Sequence, residues 1–168
     1  MRAVGAHYGD AALAVAHSLG GAAVTLAHDE TWRAKKLILI APAADMVAAV
    51  GRFFRFVHLS ARLRKPFFAW HERRTGVDPL NLQIHRIAAV LGQPTLVVHD
   101  LQDRDVPWDE GERYARHLSN ARLLTTTGLG HNRIVDDANV VAAALRFARG
   151  ETVGDRVVSS PNLPFGMA

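Results

Sequence analysis

Four short, mainly apolar runs punctuate the chain, and between them apolar positions recur at helical spacing. The runs are Ala11–Ala16 (AALAVA), Lys36–Ala41 (KLILIA), Pro94–His99 (PTLVVH) and Ala121–Thr126 (ARLLTT). Such runs suit strands buried on both faces of a parallel sheet, whereas a half-exposed strand alternates apolar with polar. Met1 to Tyr8 reads as a helix stopped by Gly9, and a small-residue helix follows Ser18-Leu19-Gly20-Gly21 and ends near His28. Pro42 stops the second run.

The stretch 45–92 reads as helical. Met46, Val50, Phe53 and Val57 fall on one stripe, with Arg52, Arg55 and Arg62 on the other side. Pro66 is expected to interrupt this helix and Gly76 to end the next. Asp78-Pro79 then supplies an N-cap and first helical position for a helix through Leu80, Ile84, Ile87 and Leu91, closed by Gly92. The helix after Pro107 has Asp109, Glu110 and Glu112 early and Arg113, Arg116 and His117 late, matching the dipole at both ends. Its inward stripe is Gly111, Tyr114, Ala115 and Leu118. A last helix starting near Asp136-Asp137 is expected to bury Val140, Val141, Ala144, Leu145 and Ala148.

Strand and helix alternate throughout, with one helical insertion. This order predicts an α/β fold: a parallel sheet of about four strands, right-handed crossovers, and helices on both faces. Residues 1–150 form the domain, 45–92 its insertion, and 151–168 a loose tail. In such sheets chemistry collects at the carboxyl ends of the strands.

Composition narrows the chemistry. The 168 residues include no cysteine, which removes disulfides, thiolate nucleophiles and thiolate metal sites, and agrees with a cytoplasmic location. The net charge of +4 is unevenly spread. Residues 51–75 carry Arg52, Arg55, Arg62, Arg64, Lys65, Arg73 and Arg74 against Glu72 alone. Such a row reads as a solvated helix face more readily than as a surface for nucleic acid or membrane. The apolar stretch Leu37–Ala44 is too short to span a bilayer, and Ala11–Ala27 lacks the basic flank of a signal peptide.

Three polar residues stand at three predicted strand ends. Ser18 follows the first strand, Asp103 comes shortly after the third, and His131 follows the fourth. A serine hydroxyl is a poor nucleophile until an imidazole takes its proton and a carboxylate orients that imidazole. Ala16-His17-Ser18-Leu19-Gly20 resembles the G-x-S-x-G elbow of α/β-hydrolases, with Ala16 replacing the first glycine. The elbow brings flanking turns close, so small residues are expected to matter at Ala16 and Gly20. His99 to Pro107 (HDLQDRDVP) resembles that family's acid loop, with Asp100 where the family has glycine, and Gly128-Leu129-Gly130-His131 resembles its histidine loop.

The resemblance covers roughly residues 10–150. It implies a Ser18–His131–Asp103 triad and an oxyanion site that uses the Leu19 backbone N–H. It also implies that the chain corresponds to the family's C-terminal half, with residues 45–92 as a cap over the pocket. The first four strands, and the loop that supplies a second oxyanion donor, have no counterpart in the sequence. Met1 reads either as an internal methionine of a longer product or as the start of a genuine remnant. Asp105 is the rival acid, although the spacing to Val106-Pro107 favours Asp103.

Other motifs fall short. His71-Glu72-Arg73-Arg74-Thr75 begins like H-E-x-x-H but lacks the second histidine, so no metal site is expected. Gly128-Leu129-Gly130 begins like G-x-G-x-x-G, but Arg133 holds the third glycine position, so no dinucleotide cofactor is expected. His17 and His99 are expected to pack beside the site. Phe53, Phe54, Phe56, Phe67, Phe68 and Trp70 either line an acyl-binding pocket or hold the cap to the body.

Two functions follow as expectations. One is a serine hydrolase of carboxylic esters or thioesters, with uncharged or weakly polar small-molecule acyl substrates and impaired by the absent loop. The other is a catalytically weak remnant that binds a ligand or partner through its cap. The first strand has an unpaired edge, so self-association there is expected unless Met1–Tyr8 or the tail covers it.

Overall fold

The computed structural model describes residues 2–28, 32–78, 81–84 and 91–157. Four strands form one parallel sheet in the order β1-β2-β3-β4: Ala14–His17, Leu37–Ile40, Thr95–Asp100 and Ala121–Thr126. All residues of β2 and β3 are buried, as expected of the apolar runs Leu37–Ile40 and Leu96–Val98, and β3 also buries the polar Thr95, His99 and Asp100. Leu37, Leu39 and Val97 face one core, with Val24, Tyr114 and Leu118. Ile38, Ile40, Leu96 and Val98 face the other, with Ile134, Val140 and Phe147. Each such aliphatic side chain contributes about 1.5–3 kcal/mol by leaving water.

The helices are α1 (Arg2–Tyr8), α2 (Leu19–Ala27), α3 (Met46–Phe56), α4 (Arg64–Thr75), α5 (Trp108–His117), α6 (Gly130–Arg133) and α7 (Ala138–Ala148). Helices α2 and α5 cover the first core and α7 the second, so the sheet is sandwiched. Among the described residues, no helix is long and apolar enough to cross a membrane.

Several local expectations shift. The first apolar run breaks after Ala11, which pairs with Ala34 in an isolated bridge, and β1 proper starts at Ala14. Pro66 does not interrupt a helix. It lies in the first turn of α4, where its missing N–H costs nothing, and the real break is at Val57–Ser60, where His58 has φ 55°. Helix α7 buries Val140 and Phe147, while Val141 and Leu145 are exposed. Its sequence is apolar nearly all round, so periodicity alone does not settle which stripe faces inward. The helix expected from Asp78 to Leu91 falls largely on residues 79–80 and 85–90, outside the described residues.

The sheet's two edges differ. At β4, Asp155 pairs with Leu123 through two backbone hydrogen bonds of 2.8 Å, and Val153 is buried. The first part of the expected loose tail is therefore docked, and residues 158–168 lie outside the described residues. At the other edge, among the described residues, β1 is hydrogen-bonded to β2 alone, and Val15 is 57% exposed.

The cap segment holds α3, a short 3-10 turn (Ala61–Leu63) and α4. One buried carboxylate fastens it to the body. Glu110 of α5 accepts from the Ala44 N–H (2.8 Å) and the Asp45 N–H (3.3 Å), and pairs with Arg52 of α3. Arg52 is thus turned toward the body rather than to solvent. Phe54 is buried and packs edge-on against Phe67, whereas α4 buries no residue.

Candidate active site

Ser18 sits between the last residue of β1 and the first of α2, with no loop between them. Its N–H extends the sheet by donating to the Ile40 carbonyl (2.9 Å), and its own carbonyl accepts from the Gly21 N–H (3.0 Å). Meeting both demands puts Ser18 at φ 56°, ψ −127°, a conformation that costs a non-glycine residue about 1–3 kcal/mol. The tight approach expected at Ala16 and Gly20 falls one residue later. A Cβ on Gly20 would stand 3.9 Å from the Ala16 Cβ, an ordinary contact, but one on Gly21 would stand 2.8 Å from the Pro42 Cβ.

The loop after β3 is wound around a carboxylate. Asp103 Oδ1 accepts from the N–H groups of Asp105 and Val106, both at 2.9 Å. Its Oδ2 faces His131 Nδ1 at 2.7 Å, with His99 Nε2 at 3.4 Å. Burial pushes the Asp103 carboxyl up. Hydrogen bonds from His131, His99 and the Val106 N–H outweigh burial and hold it well below the usual carboxylate range.

His99 is fully buried. Its Nε2–H donates to the Val106 carbonyl (2.9 Å), and its Nδ1 has no hydrogen-bond partner. The ring lies against Gly111, where a Cβ would overlap it.

After β4, Gly128 and Gly130 turn the chain with φ 83° and 66°, and His131 enters α6. Its Nδ1–H donates to Asp103, so Nε2 is left as acceptor for the Ser18 hydroxyl at 2.9 Å. His17 braces this arrangement from the elbow. Its Nε2–H donates to the His131 carbonyl (2.9 Å), and the two rings lie 4.6 Å apart. Burial, helped by the nearby His131, lowers the His17 pKa despite the hydrogen bond to the His131 carbonyl and the nearby Asp103. The residues nominated from sequence thus meet in one hydrogen-bonded chain, Ser18–His131–Asp103, at the carboxyl ends of β1, β3 and β4. Asp105 contributes its backbone N–H to Asp103 instead of its carboxylate to His131.

Above Ser18 lies a cavity of about 700 Å³, walled by Met46, Val50, Phe53, Phe56, Phe67 and Val106, with Arg55, Arg104 and Asp105 also on its lining. The cap aromatics therefore divide. Phe53, Phe56 and Phe67 line the cavity, while Phe54 is buried in the cap's own packing. Leu19 also lines it, and its N–H opens α2, where no intrahelical acceptor exists. Asp103, Asp105 and His131 place three ligand atoms within 4.8 Å of one another, but two of these residues are already engaged in the hydrogen-bonded chain.

Several solved structures that share this arrangement of strands and helices are described as α/β hydrolases or esterases. The esterase domain of a Rhodothermus marinus protein superimposes with a TM-score of 0.57 at 18% identity, over 88% of this chain and 64% of its own. MGS-M2, an α/β hydrolase enzyme from a Medee basin deep-sea metagenome library, gives 0.56 at 18% identity, over 88% and 68%. This chain has the α/β-hydrolase fold. A third α/β-hydrolase-fold structure, from Bacillus anthracis strain Sterne, gives 0.53 at 16% identity, over 82% and 66%. The chain thus spans about two thirds of the length of these hydrolase-fold structures. No protein-family model and no curated protein matches the sequence.

Two residues of the site region escaped the sequence reading. Glu110 reads in sequence as part of a dipole-matching acidic first turn, although it lies four residues before the inward-facing Tyr114. Asp100 reads in sequence as a replaced glycine, although an acid closing a strand built around the apolar run Leu96–Val98 is itself a signal.

Proposed function

We propose that this protein is a serine hydrolase of carboxylic esters or thioesters, acting through an acyl-enzyme. Ser18 Oγ attacks the acyl carbonyl while His131 Nε2 takes its proton. Asp103 holds the imidazole tautomer and stabilises the imidazolium. The carbonyl oxygen, now an anion, accepts from the Leu19 N–H. His131 then returns the proton to the departing alcohol or thiol, and a water activated by the same imidazole releases the acid.

The observation that carries this reading is the continuous hydrogen-bonded chain, 2.9 Å from Ser18 to His131 and 2.7 Å on to Asp103, opening into an apolar cavity. The cavity walls favour a small acyl group over a peptide or phosphoester. A fluorophosphonate probe should label Ser18, and Ser18→Ala or His131→Ala should abolish labelling. Labelling that persists in Ser18→Ala overturns the proposal.

A second reading is a weak hydrolase-fold protein that binds a ligand or partner through its cap. Its support is that the chain spans only about two thirds of the matched hydrolases. Saturable binding of an acyl ester without turnover, in a sample whose serine is unreactive, would favour it.

A further inference from the structure

The proposed mechanism leaves one fully buried carboxylate unused. Asp100 ends β3, and its two oxygens reach in different directions. Oδ1 accepts from the Gln102 N–H at 2.9 Å, inside the loop that carries Asp103. Oδ2 accepts from the Leu129 N–H at 3.0 Å and from the Thr126 hydroxyl at 2.8 Å, at the start of the segment that carries His131. The first contact is a local turn of a kind common after strands. The other two cross 29 and 26 residues of sequence, and no local turn accounts for them.

Those two loops have to be held in register. Asp103 and His131 sit at their tips and meet at 2.7 Å. The resemblance implies glycine at this position, which offers no side-chain acceptor, whereas here the Asp100 carboxylate supplies one for each loop. Burial alone would raise the Asp100 carboxyl. Hydrogen bonds from the Gln102 N–H, the Thr126 hydroxyl and the Leu129 and Gly130 N–H groups outweigh it, lower its pKa, and favour the ionised, acceptor-only form.

We infer that Asp100 is a positioning residue: its carboxylate clamps the acid loop to the histidine loop and thereby fixes the Asp103–His131 hydrogen bond. The inference rests on the triad reading given above for its catalytic consequence, but not for its geometry. Asp100 does not line the cavity, so it acts on the reactivity of Ser18 and not on ligand binding.

Asp100→Asn preserves shape and removes one acceptor. Whichever way the amide turns, its NH2 faces a backbone N–H, either that of Gln102 or that of Leu129. In this variant the maximal rate of fluorophosphonate labelling should fall on the order of ten- to a hundredfold, with half-saturation unchanged. The low-field proton NMR signal of the His131 Nδ1–H, assigned by its absence in His131→Gln, should weaken or vanish. Thr126→Val removes one donor and leaves the carboxylate, so it should shift both readouts the same way by a few-fold, and it decides the matter if Asp100→Asn fails to fold.

Wild-type rates and an unchanged signal in both variants overturn the inference and leave the triad reading intact. A wild-type chain that never labels at Ser18 overturns the triad reading instead. The NMR signal then still tests the clamp: its loss in the variants upholds it, and its persistence removes it.

Discussion

On its β3 and β4 side, the Ser18 hydroxyl meets groups whose polar atoms are committed several times over. Asp103 has partners on both oxygens, His131 is bonded through both ring nitrogens, and His17 grips the His131 carbonyl. On its α2 side the next residue is Leu19, which is 56% exposed. The difference follows from topology. The proton-relay groups are all supplied by the ends of strands in this sheet, and the hydrogen bonds that orient them are made among those same loops. The proposed oxyanion binding draws on the first turn of α2, and the resemblance implies a second donor from a loop that precedes the elbow strand in the family. Among the described residues, the proposed proton relay is therefore the more fully furnished of the two sides.

The largest expected effect strikes the furnished side. Asp103→Asn keeps the loop's shape but presents an amide to His131 and favours the wrong tautomer, so Ser18 labelling should slow about ten-thousandfold. Asp105→Asn should change it by no more than about threefold, because the hydrogen bond that Asp105 gives to the chain of polar groups comes from its backbone N–H. A larger loss in Asp105→Asn than in Asp103→Asn would reverse the assignment of the acid.

A smaller effect is expected from the open side. Losing one fixed oxyanion donor costs on the order of a hundred- to a thousandfold in turnover. Ester turnover per labelled Ser18 should therefore fall short of a complete α/β-hydrolase by about that factor, even where labelling by a strong electrophile is fast. Turnover that matches a complete enzyme would show that another group fills the hole, and the two sides would no longer differ.

The smallest effect concerns acid stability, measured by urea unfolding across pH. Asp100 and Asp103 both titrate below their ordinary 3.8 when folded, so the stability they lend is whole above that value and is lost as pH falls toward their folded values. His17 is lowered from 6.5, so below that value the unfolded chain binds the extra proton first and stability also falls with pH. Asp103→Asn should flatten the loss below 3.8, and His17→Gln should flatten the one that begins near 6.5. Equal slopes in variant and wild type would mean that these networks are no tighter in the folded chain than in water.

Much of this was legible in sequence because burial on both faces leaves a plain trace. Leu37–Ile40 and Thr95–Val98 can hardly be anything but interior strands once the intervening helices are seen, and the ends of the first, third and fourth strands then nominate Ser18, Asp103 and His131. What could not be read is side-chain destination. Glu110 looks like any acidic residue in a helix's first turn until Ala44 and Asp45, just before α3, are seen to offer it their N–H groups and α3 its Arg52. Asp100 looks like a lost glycine until the loop after β4 is seen to reach it. Helix α7 erred for another reason: Val141 and Leu145 are as apolar as Val140 and Phe147, so composition gave no face to prefer.

The contact between His99 and Gly111 constrains how this chain can drift. Every replacement of Gly111 adds at least a Cβ, which would overlap the buried His99 ring. That ring, in turn, holds the Val106 carbonyl and flanks Asp103. The two positions are therefore epistatic: a lineage can enlarge 111 only after shrinking 99, and shrinking 99 first loosens the acid loop. Neither residue lines the cavity, yet together they make one heritable unit, a histidine and a bare glycine twelve positions apart that bracket the acid.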